Sequence, residues 1–166
     1  MVIVYTSNTG FTYQYAQMLA KAEKMKFYEL SEAQLDKDVP VLYMGPLMAG
    51  HISGLDEAVK RFSVEAVCGV GMSMPGKAVM ESIGRANYLG DRPVFYLRGG
   101  WDPKRVGWLK RRMVNMATRS IRRPLQAKKD RTPQEEIQLN FFLRGGSFVA
   151  YQNLSEIRAW LKEHKA

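Results

Sequence analysis

Two almost unbroken apolar runs constrain most strongly what this chain folds into. "VPVLYMG" covers residues 39–45 and "VEAVCGVG" covers residues 64–71. A strand with one face in water alternates apolar and polar residues, so unbroken apolar runs indicate a sheet covered on both faces. Amphipathic helices are predicted between the strands: one over 11–23, one capped by Ser53, and one from about Lys77 to Gly90.

Shorter apolar stretches complete the pattern. Residues 2–5, 26–30 and 92–98 each resemble a short strand, giving the order β-α-β-β-α-β-α-β. This alternation predicts parallel strands with helices on both faces of the sheet. With 166 residues, 46% of them apolar, the chain is long enough for one domain with a sizeable core. We therefore expect a single α/β domain over 1–166.

The net charge is concentrated in one segment. The chain carries +9, and the stretch from Asp102 to Arg131 holds eleven Lys and Arg residues against two Asp residues. The remaining residues are balanced between acids and bases, so this segment needs an explanation of its own. We predict a basic helical insertion at about 101–145, after the fifth strand.

Helical signals recur within and after this insertion. A helix over about 104–121, ended by Pro124, would present one apolar stripe, with Arg and Lys elsewhere. The stripe comprises Val106, Leu109, Met113, Met116 or Ala117, and Ile121. "TPQE" at 132–135 is a capping box that opens a helix to about Leu143. Residues 147–151 look extended, and "NLSE" at 153–156 precedes a last helix.

The stretch "VYTSNTGFT", residues 4–12, follows the first strand and contains no Lys or Arg. One interpretation is a helix cap, since Ser and Thr are common there. The other is a cradle for a phosphate group, because free amides and the dipole at a helix N-terminus favour an anion. The turn also follows the first strand of an open α/β sheet, beside the place where the strand order reverses and ligands bind.

The longer stretch "IVYTSNTGFTYQYAQML" (3–19) resembles the flavodoxin signature. The matching features are an apolar pair, an aromatic residue, and then Ser7, Gly10, Thr12, Ala16 and Leu19. The resemblance implies a doubly wound, five-stranded parallel sheet in the order 2-1-3-4-5 and an FMN cofactor. Its phosphate would be held by Thr6, Ser7, Asn8, Thr9, Gly10, Phe11 and Thr12.

The same resemblance implies two further loops around the flavin ring. The first, after strand 3, would supply Pro46, Leu47, Met48, Ala49, Gly50 and His51. The second, after strand 4, would supply Gly71, Met72, Ser73 and Met74. Flavodoxins usually stack aromatic rings on the flavin from these loops, whereas this chain offers Leu and Met, which contact a ring through polarizable groups. The alternative is that these methionines are ordinary surface residues.

The pair Gly50–His51 and the basic segment "LRGGWDPKRVGWLKRRM" resemble the flavodoxin-like protoporphyrinogen IX dehydrogenases. A histidine near a flavin donates a proton or hydrogen bond near neutral pH, so His51 is a candidate catalytic residue. The alternative is a structural histidine at the start of a helix. No other catalytic residue is proposed from the sequence.

Three interpretations compete for the basic insertion. It is a solvated helix face that covers the sheet, a surface for anionic lipid, or a docking surface for an acidic partner or the carboxylates of a tetrapyrrole. Nucleic acid ranks last, because no nucleic-acid fold is recognisable. The predicted partner surface comprises Trp101, Arg105, Trp108, Arg111, Arg112, Arg122 and Arg123.

The sequence argues against a cysteine nucleophile, a zinc site, a dinucleotide motif and a membrane span. Cys68 lies in a buried run and is expected to be a core residue rather than a nucleophile. No zinc-ligand spacing is present, and "GVGMSM" lacks the third glycine of a dinucleotide motif. With no apolar run near the ~20 residues that span a bilayer, and no signal-peptide pattern, we expect a cytoplasmic protein, with peripheral contact at the inner face of the membrane as a variant.

These observations give one main hypothesis and two alternatives. The main hypothesis is an FMN flavoprotein that transfers electrons, in its enzyme form a protoporphyrinogen dehydrogenase-like oxidoreductase using a quinone or an anionic substrate. The first alternative is an electron carrier serving a partner reductase, although +9 opposes the usual acidic carrier. The second is a cofactor-free binding module that works through its basic segment.

Overall fold

The structure, a computed structural model, describes residues 1–164 and divides the chain into two compact units. The first, here called the sheet unit, comprises Met1–Gly99 together with the chain from Phe148 onward. The second, here called the insertion unit, is Gly100–Ser147. It occupies the stretch in which the sequence places the basic helical insertion.

The secondary structure follows the order expected of an α/β protein. The strands are β1 (Val2–Tyr5), β2 (Phe27–Glu29), β3 (Pro40–Met48), β4 (His51–Ile52), β5 (Ser63–Gly71), β6 (Val94–Arg98), β7 (Gly100–Trp101) and β8 (Gly146–Ser147). The helices are α1 (Phe11–Glu23), α2 (Leu55–Arg61), α3 (Lys77–Ala86), α4 (Trp108–Ala117), α5 (Arg119–Ala127), α6 (Pro133–Arg144) and α7 (Ser155–His164), with a 3₁₀ helix at Tyr151–Leu154.

The sheet unit contains one mostly parallel sheet. Its strands lie in the order β2-β1-β3-β5-β6, all pairing in parallel, and the short β4 pairs antiparallel with β3. The predicted α/β class with a mostly parallel central sheet is therefore confirmed. The sequence did not predict β4, because its two residues lie in a stretch that was expected to be a loop.

Helices cover both faces of this sheet, and β3 explains why the central apolar runs are unbroken. Leu42 and Met44 belong to the core cluster that contains α1 and α7 residues. Their neighbours Val41 and Tyr43 belong to the opposite cluster, with residues of α2 and α3. Since successive side chains of a strand point to opposite faces, both sets must be apolar when both faces are covered.

In the insertion unit, the single helix predicted over 104–121 is wrong. The chain forms α4 and α5, separated at Thr118, whose hydroxyl donates to the Val114 carbonyl at 2.8 Å. The Arg122 guanidinium donates back to the Thr118 hydroxyl at 3.1 Å. These bonds stabilise the joint, and apolar spacing alone does not reveal it.

Pro124 was predicted to end a helix, and this is also wrong. It lies inside α5, which continues to Ala127, and its carbonyl accepts the Lys128 amide at 3.1 Å. Proline removes one amide donor but has a φ compatible with a helix, so a short helix tolerates it near its middle at the loss of one bond.

The capping box at the start of α6 is confirmed. The Thr132 side chain accepts from the Glu135 amide, and the Glu135 carboxylate accepts from the Thr132 amide at 2.8 Å. Pro133 occupies the first helical position, where its missing amide costs nothing. In contrast, the prediction that Ser53 caps α2 is wrong. Gly54 occupies the N-cap position of α2, and no side chain accepts a capping hydrogen bond there.

Gly54 provides a test of this packing. Its φ is +81°, and a Cβ there would overlap the Tyr43 hydroxyl and lie 2.8 Å from Thr6 Oγ1. We expect Gly54→Ala to lower the free energy of unfolding by roughly 2 kcal/mol, because both the backbone conformation and the space exclude a side chain. Urea denaturation measures this change.

Gly84, in the middle of α3, is the matched control. A Cβ at Gly84 has no neighbouring atom within 4 Å, so Gly84→Ala should raise the free energy of unfolding by about 0.5–1 kcal/mol. A Gly54→Ala protein as stable as the parent would contradict the packing described.

Candidate functional site

The carboxyl ends of β1, β3, β5 and β6 meet at one edge of the sheet, here called the carboxyl edge. The Thr6 amide donates to the Met44 carbonyl at 3.0 Å, and the Gly99 amide donates to the Gly71 carbonyl at 2.7 Å. The chain passes from β1 to β2 on one side and then returns to β3 on the other. Ligands of open α/β sheets bind where the order reverses in this way.

Ser7 closes the loop that leads from β1 to α1. Its Oγ accepts from the Gly10 amide at 3.1 Å and from the Tyr13 amide at 3.4 Å. Gly10 has φ +93° and occupies the capping position without a side-chain bond. Both contacts use lone pairs of Ser7 Oγ, so its hydroxyl proton is available to a ligand.

The first two amides of α1 are available donors. Those of Phe11 and Thr12 have no acceptor within the described part of the chain, whereas the Gln14 amide already bonds to the Gly10 carbonyl at 3.0 Å. Thr12 itself is 2% exposed. The loop before them holds an exposed Asn8 and a half-buried Thr9. Unpaired amides at the start of a 13-residue helix form a site that favours an anion.

The Thr6 hydroxyl contacts a side chain outside this loop, the Tyr43 hydroxyl. It is 3.0 Å from the Tyr43 hydroxyl, which donates to the Ser53 carbonyl at 2.7 Å. Burial raises the pKa of Tyr43 to about 12. Thr6 therefore links the end of β1 to the chain that follows β4.

The first predicted ring loop is mostly a β-hairpin. Pro46, Leu47 and Met48 continue β3, and the chain turns through Ala49 (φ +51°) and Gly50 (φ +84°) into β4. Two consecutive residues with positive φ are typical of the tight turns that suit a twisted hairpin. The expectation that residues 46–51 form a loop after the third strand is corrected on this point.

Asn87, which the sequence analysis missed, holds this hairpin in place. Its side-chain amide donates to the Gly50 carbonyl at 2.7 Å, and its oxygen accepts from the Ile52 amide at 2.9 Å. The same amide also donates to the Ile83 carbonyl near the end of α3. Asn87 follows a helix in the sequence and looks there like an ordinary helix end, so only the fold reveals this contact.

His51 lies on the hairpin with an exposed side chain. Its Nδ1 is 3.4 Å from the Ala86 carbonyl, and its Nε2 is 3.8 Å from the Asp56 carboxylate. These partners belong to α3 and to the first turn of α2. The contacts favour the structural interpretation of His51, and no step is assigned to it.

Gly71 brings the two predicted ring loops together. A Cβ at Gly71 would lie 2.9 Å from the Tyr96 hydroxyl oxygen and 3.2 Å from Leu47 Cβ. Only glycine allows the β5 backbone to pass between them. The Tyr96 hydroxyl then donates to the Ser73 carbonyl at 2.9 Å, and burial raises the pKa of Tyr96 to about 12.

The rest of the second loop is open. Met72 is half-buried, Ser73 is exposed, and Met74 is 68% exposed. Thus Leu47, Gly71 and Ser73 are brought together at the carboxyl edge, whereas the side chain of Met74 extends into solvent.

Arg98, at the end of β6, is a second residue that the sequence analysis missed. It lies opposite Gly71 in the register, and its guanidinium carbon is 3.4 Å from the centre of the Phe148 ring. Its Nε is buried and has no hydrogen-bond partner among residues 1–164. A buried donor without a partner is costly, which makes Arg98 the one orphaned buried side-chain donor described at this edge.

The structure separates the predicted partner surface of the insertion unit into two groups. Trp101 was predicted to belong to this surface, and this is wrong. It is 5% exposed, and its indole N–H donates to the Phe142 carbonyl at 3.2 Å. Arg105 pairs with Asp102 at 3.4 Å, and Arg122 is bonded at the joint between α4 and α5. Exposed side chains remain at Trp108, Arg111, Arg112 and Arg123.

Several kinds of chemistry find no support in the part of the chain described. Cys68 is fully buried, and burial raises the pKa of its thiol, so it is a core residue. Among residues 1–164, no group of three His, Cys, Asp or Glu side chains is placed to hold a metal ion. Within the same residues, no helix has the length and apolar character needed to cross a bilayer.

Comparison with protein-family models, with curated proteins and with solved structures gives no match to this chain.

The tyrosines of the site predict a loss of stability at alkaline pH. The folded-state pKa values of Tyr43 and Tyr96 lie near 12, above the ordinary 10.0. The stability that each neutral phenol contributes is present below pH 10 and lost as the pH rises toward 12. We expect Tyr43→Phe to reduce the fall in the free energy of unfolding across this range, measured by urea denaturation.

Tyr88→Phe is the control for this prediction, because Tyr88 is 85% exposed and its replacement should leave the pH dependence unchanged. An equal fall in stability for the parent and for Tyr43→Phe would contradict the assignment of Tyr43.

Proposed function

We propose that this protein is an FMN-binding flavoprotein of flavodoxin-like fold that transfers electrons. The observation that carries the proposal is the pair of unpaired amides, Phe11 and Thr12, at the carboxyl edge where the strand order reverses. A further support is that the five parallel strands, numbered in their own chain order, lie as 2-1-3-4-5, the order that the resemblance implies.

The donor set at α1 suits a phosphate monoester. The Ser7 hydroxyl and the amides of Phe11 and Thr12 are all neutral donors around one turn. Ser7 Oγ accepts both of its hydrogen bonds through its lone pairs, which leaves the hydroxyl proton free. Neutral donors at a helix N-terminus are sufficient for a phosphate, as in other nucleotide sites. In this arrangement the loop is both a closed turn and an anion site, so the two interpretations of residues 4–12 are compatible.

The remaining part of the carboxyl edge suits a flat aromatic ring. Gly71 removes a side chain between Leu47 and Tyr96, and Met72 is half-buried beside them. Leu and Met side chains contact a ring face through dispersion, without aromatic stacking. Ser73 is exposed, and its side-chain hydroxyl offers a polar contact at a ring edge.

Arg98 contributes positive charge at this edge. Its buried, unpartnered Nε and its position opposite Gly71 favour a negatively polarised group nearby. When bound, FMN would supply the redox chemistry itself. The residues of this chain would hold its phosphate at Ser7–Thr12, orient its ring at the carboxyl ends of β3 and β5, and stabilise negative charge through Arg98.

The charge of the insertion unit favours an anionic electron partner. Acidic carriers dock on basic reductases, and a basic protein repels such partners. We therefore prefer an oxidoreductase that uses a quinone or an anionic, tetrapyrrole-like substrate, as in the protoporphyrinogen dehydrogenases that the sequence resembles. A free carrier is the second candidate; reduction by a flavodoxin reductase, with no turnover of its own, would identify it.

The test compares FMN with riboflavin, which lacks the phosphate. We expect the protein to quench FMN fluorescence with one site per chain and to bind riboflavin much more weakly. Ser7→Ala should weaken FMN binding about tenfold, because it removes one hydrogen bond to a charged group and an acceptor that closes the loop. Its effect on riboflavin should be small.

Ser63→Ala, at the opposite end of β5, serves as the control and should bind FMN as the parent does. A colourless protein that also fails to bind FMN in titration would refute the proposal and leave the cofactor-free binding module. Equal affinity for FMN and riboflavin would refute the phosphate site alone.

A further inference from the structure

Helix α4 has an outward apolar face that no described residue covers. Leu109, Met113 and Met116 follow one another at helical spacing and are 56%, 51% and 67% exposed, and the adjacent Trp108 is 73% exposed. We call these four residues the α4 apolar face. None of the ten residues of α4 is buried, so the part of the predicted apolar stripe that lies on α4 has no partner inside the protein's core.

Isolated apolar residues on a surface are ordinary, but four of them on a single ten-residue helix are not. At about 100° per residue, Leu109, Met113 and Met116 lie within about 60° of one another around α4. Trp108 lies on the adjacent row, one turn before Arg112. Exposure of this kind marks a surface that contacts something apolar. Within the insertion unit, no described residue covers these four side chains.

Positive charge surrounds this face. Residues 104–129 contain no Asp or Glu. Among residues 1–164, the guanidinium groups of Arg111, Arg112, Arg119 and Arg123 have no ion-pair partner. Beside the apolar face, a cavity of about 450 Å³ is lined by Trp108, Arg111, Arg112, Arg119, Arg122 and Arg123, among other residues. A cavity with this lining accommodates a phosphate-bearing headgroup.

Arg122 positions the two helices that form the cavity. Its guanidinium donates to the Asn115 carbonyl at 3.0 Å and to the Thr118 hydroxyl at 3.1 Å. These bonds hold the start of α5 against the end of α4, so the arginines of both helices line one concave surface.

We propose that the α4 apolar face and its arginines bind the surface of a bilayer rich in anionic phospholipid. Apolar side chains enter the boundary between headgroups and acyl chains, the Trp lies at that interface, and the arginines contact lipid phosphates. Charge complementarity selects an anionic bilayer. Exposed Leu and Met would gain nothing from a nucleic-acid backbone, which argues for lipid. The proposed lipid-binding surface comprises residues of the insertion unit alone and does not rest on the proposed FMN site.

The test uses the full-length protein and two kinds of vesicle, phosphatidylcholine alone and phosphatidylcholine mixed with phosphatidylglycerol. We expect sedimentation with the mixed vesicles only. The double variant Leu109→Ser/Met113→Ser should reduce the partition coefficient about tenfold, through lost apolar burial. Arg111→Gln/Arg112→Gln should reduce it by a similar factor, through lost electrostatic attraction.

Ile137→Ser is the matched control, since Ile137 is 65% exposed on α6 of the same unit and should leave partitioning unchanged. Circular dichroism and FMN titration of every variant separate misfolding, and failure of the FMN site, from loss of lipid binding.

Three results would overturn the proposal. The first is no sedimentation with phosphatidylglycerol vesicles at low salt. The second is sedimentation that Leu109→Ser/Met113→Ser leaves unchanged, which would mean attraction by charge alone. The third is tight binding of single-stranded RNA, unaffected by that double variant, in a protein that ignores vesicles; this would identify a nucleic-acid surface.

Discussion

The pairing of β3 with both β1 and β5 is the interaction on which the rest of the sheet unit depends. It places β3 in the centre of the sheet, with apolar side chains required on both faces. It also forces the chain to cross from β2, beyond β1, back to β3. The crossing leaves the N-terminus of α1 at the carboxyl edge, with its first amides free of other elements. The candidate cofactor site is a consequence of this strand order.

Regular elements with strong periodicity were predictable. The bounds of α1 agree with the sequence prediction over 11–23, because its apolar spacing is consistent and glycine precedes it. The capping box at Thr132 is a purely local signal and is also confirmed. Local chemistry determined both features, so a reading of neighbouring residues was sufficient.

Features that depend on contacts between distant residues were not predictable. The hairpin at Ala49–Gly50 depends on Asn87, which lies 37 residues further along the chain. The break at Thr118 depends on hydrogen bonds of Thr118 and Arg122. Tyr96 and Arg98 lie in β6, which the sequence showed only as a largely apolar strand. Their polar contacts could not be predicted from that pattern. At the candidate site, the phosphate-binding role of residues 6–12 was predicted from the sequence and stays a prediction, whereas the contacts around Gly71 required the fold.

The sheet unit and the insertion unit differ in the kind of binding that their residues support. At α1 the donors are neutral and directional, which suits a single small anion held at defined distances. On α4 and α5 the donors are charged, numerous and exposed beside apolar side chains, which suits an extended surface. An FMN site and a lipid-binding surface in one chain would bring a redox reaction to the edge of a membrane.

The central claim is that amides at the start of α1 bind the FMN phosphate. Two-dimensional ¹H–¹⁵N NMR of the labelled protein, titrated with FMN, tests it most directly. The account predicts that the amide resonances of Phe11 and Thr12, with those of Ser7–Gly10, undergo the largest downfield shifts. Unchanged resonances for these residues, or shifts confined to α4 and α5, would contradict it.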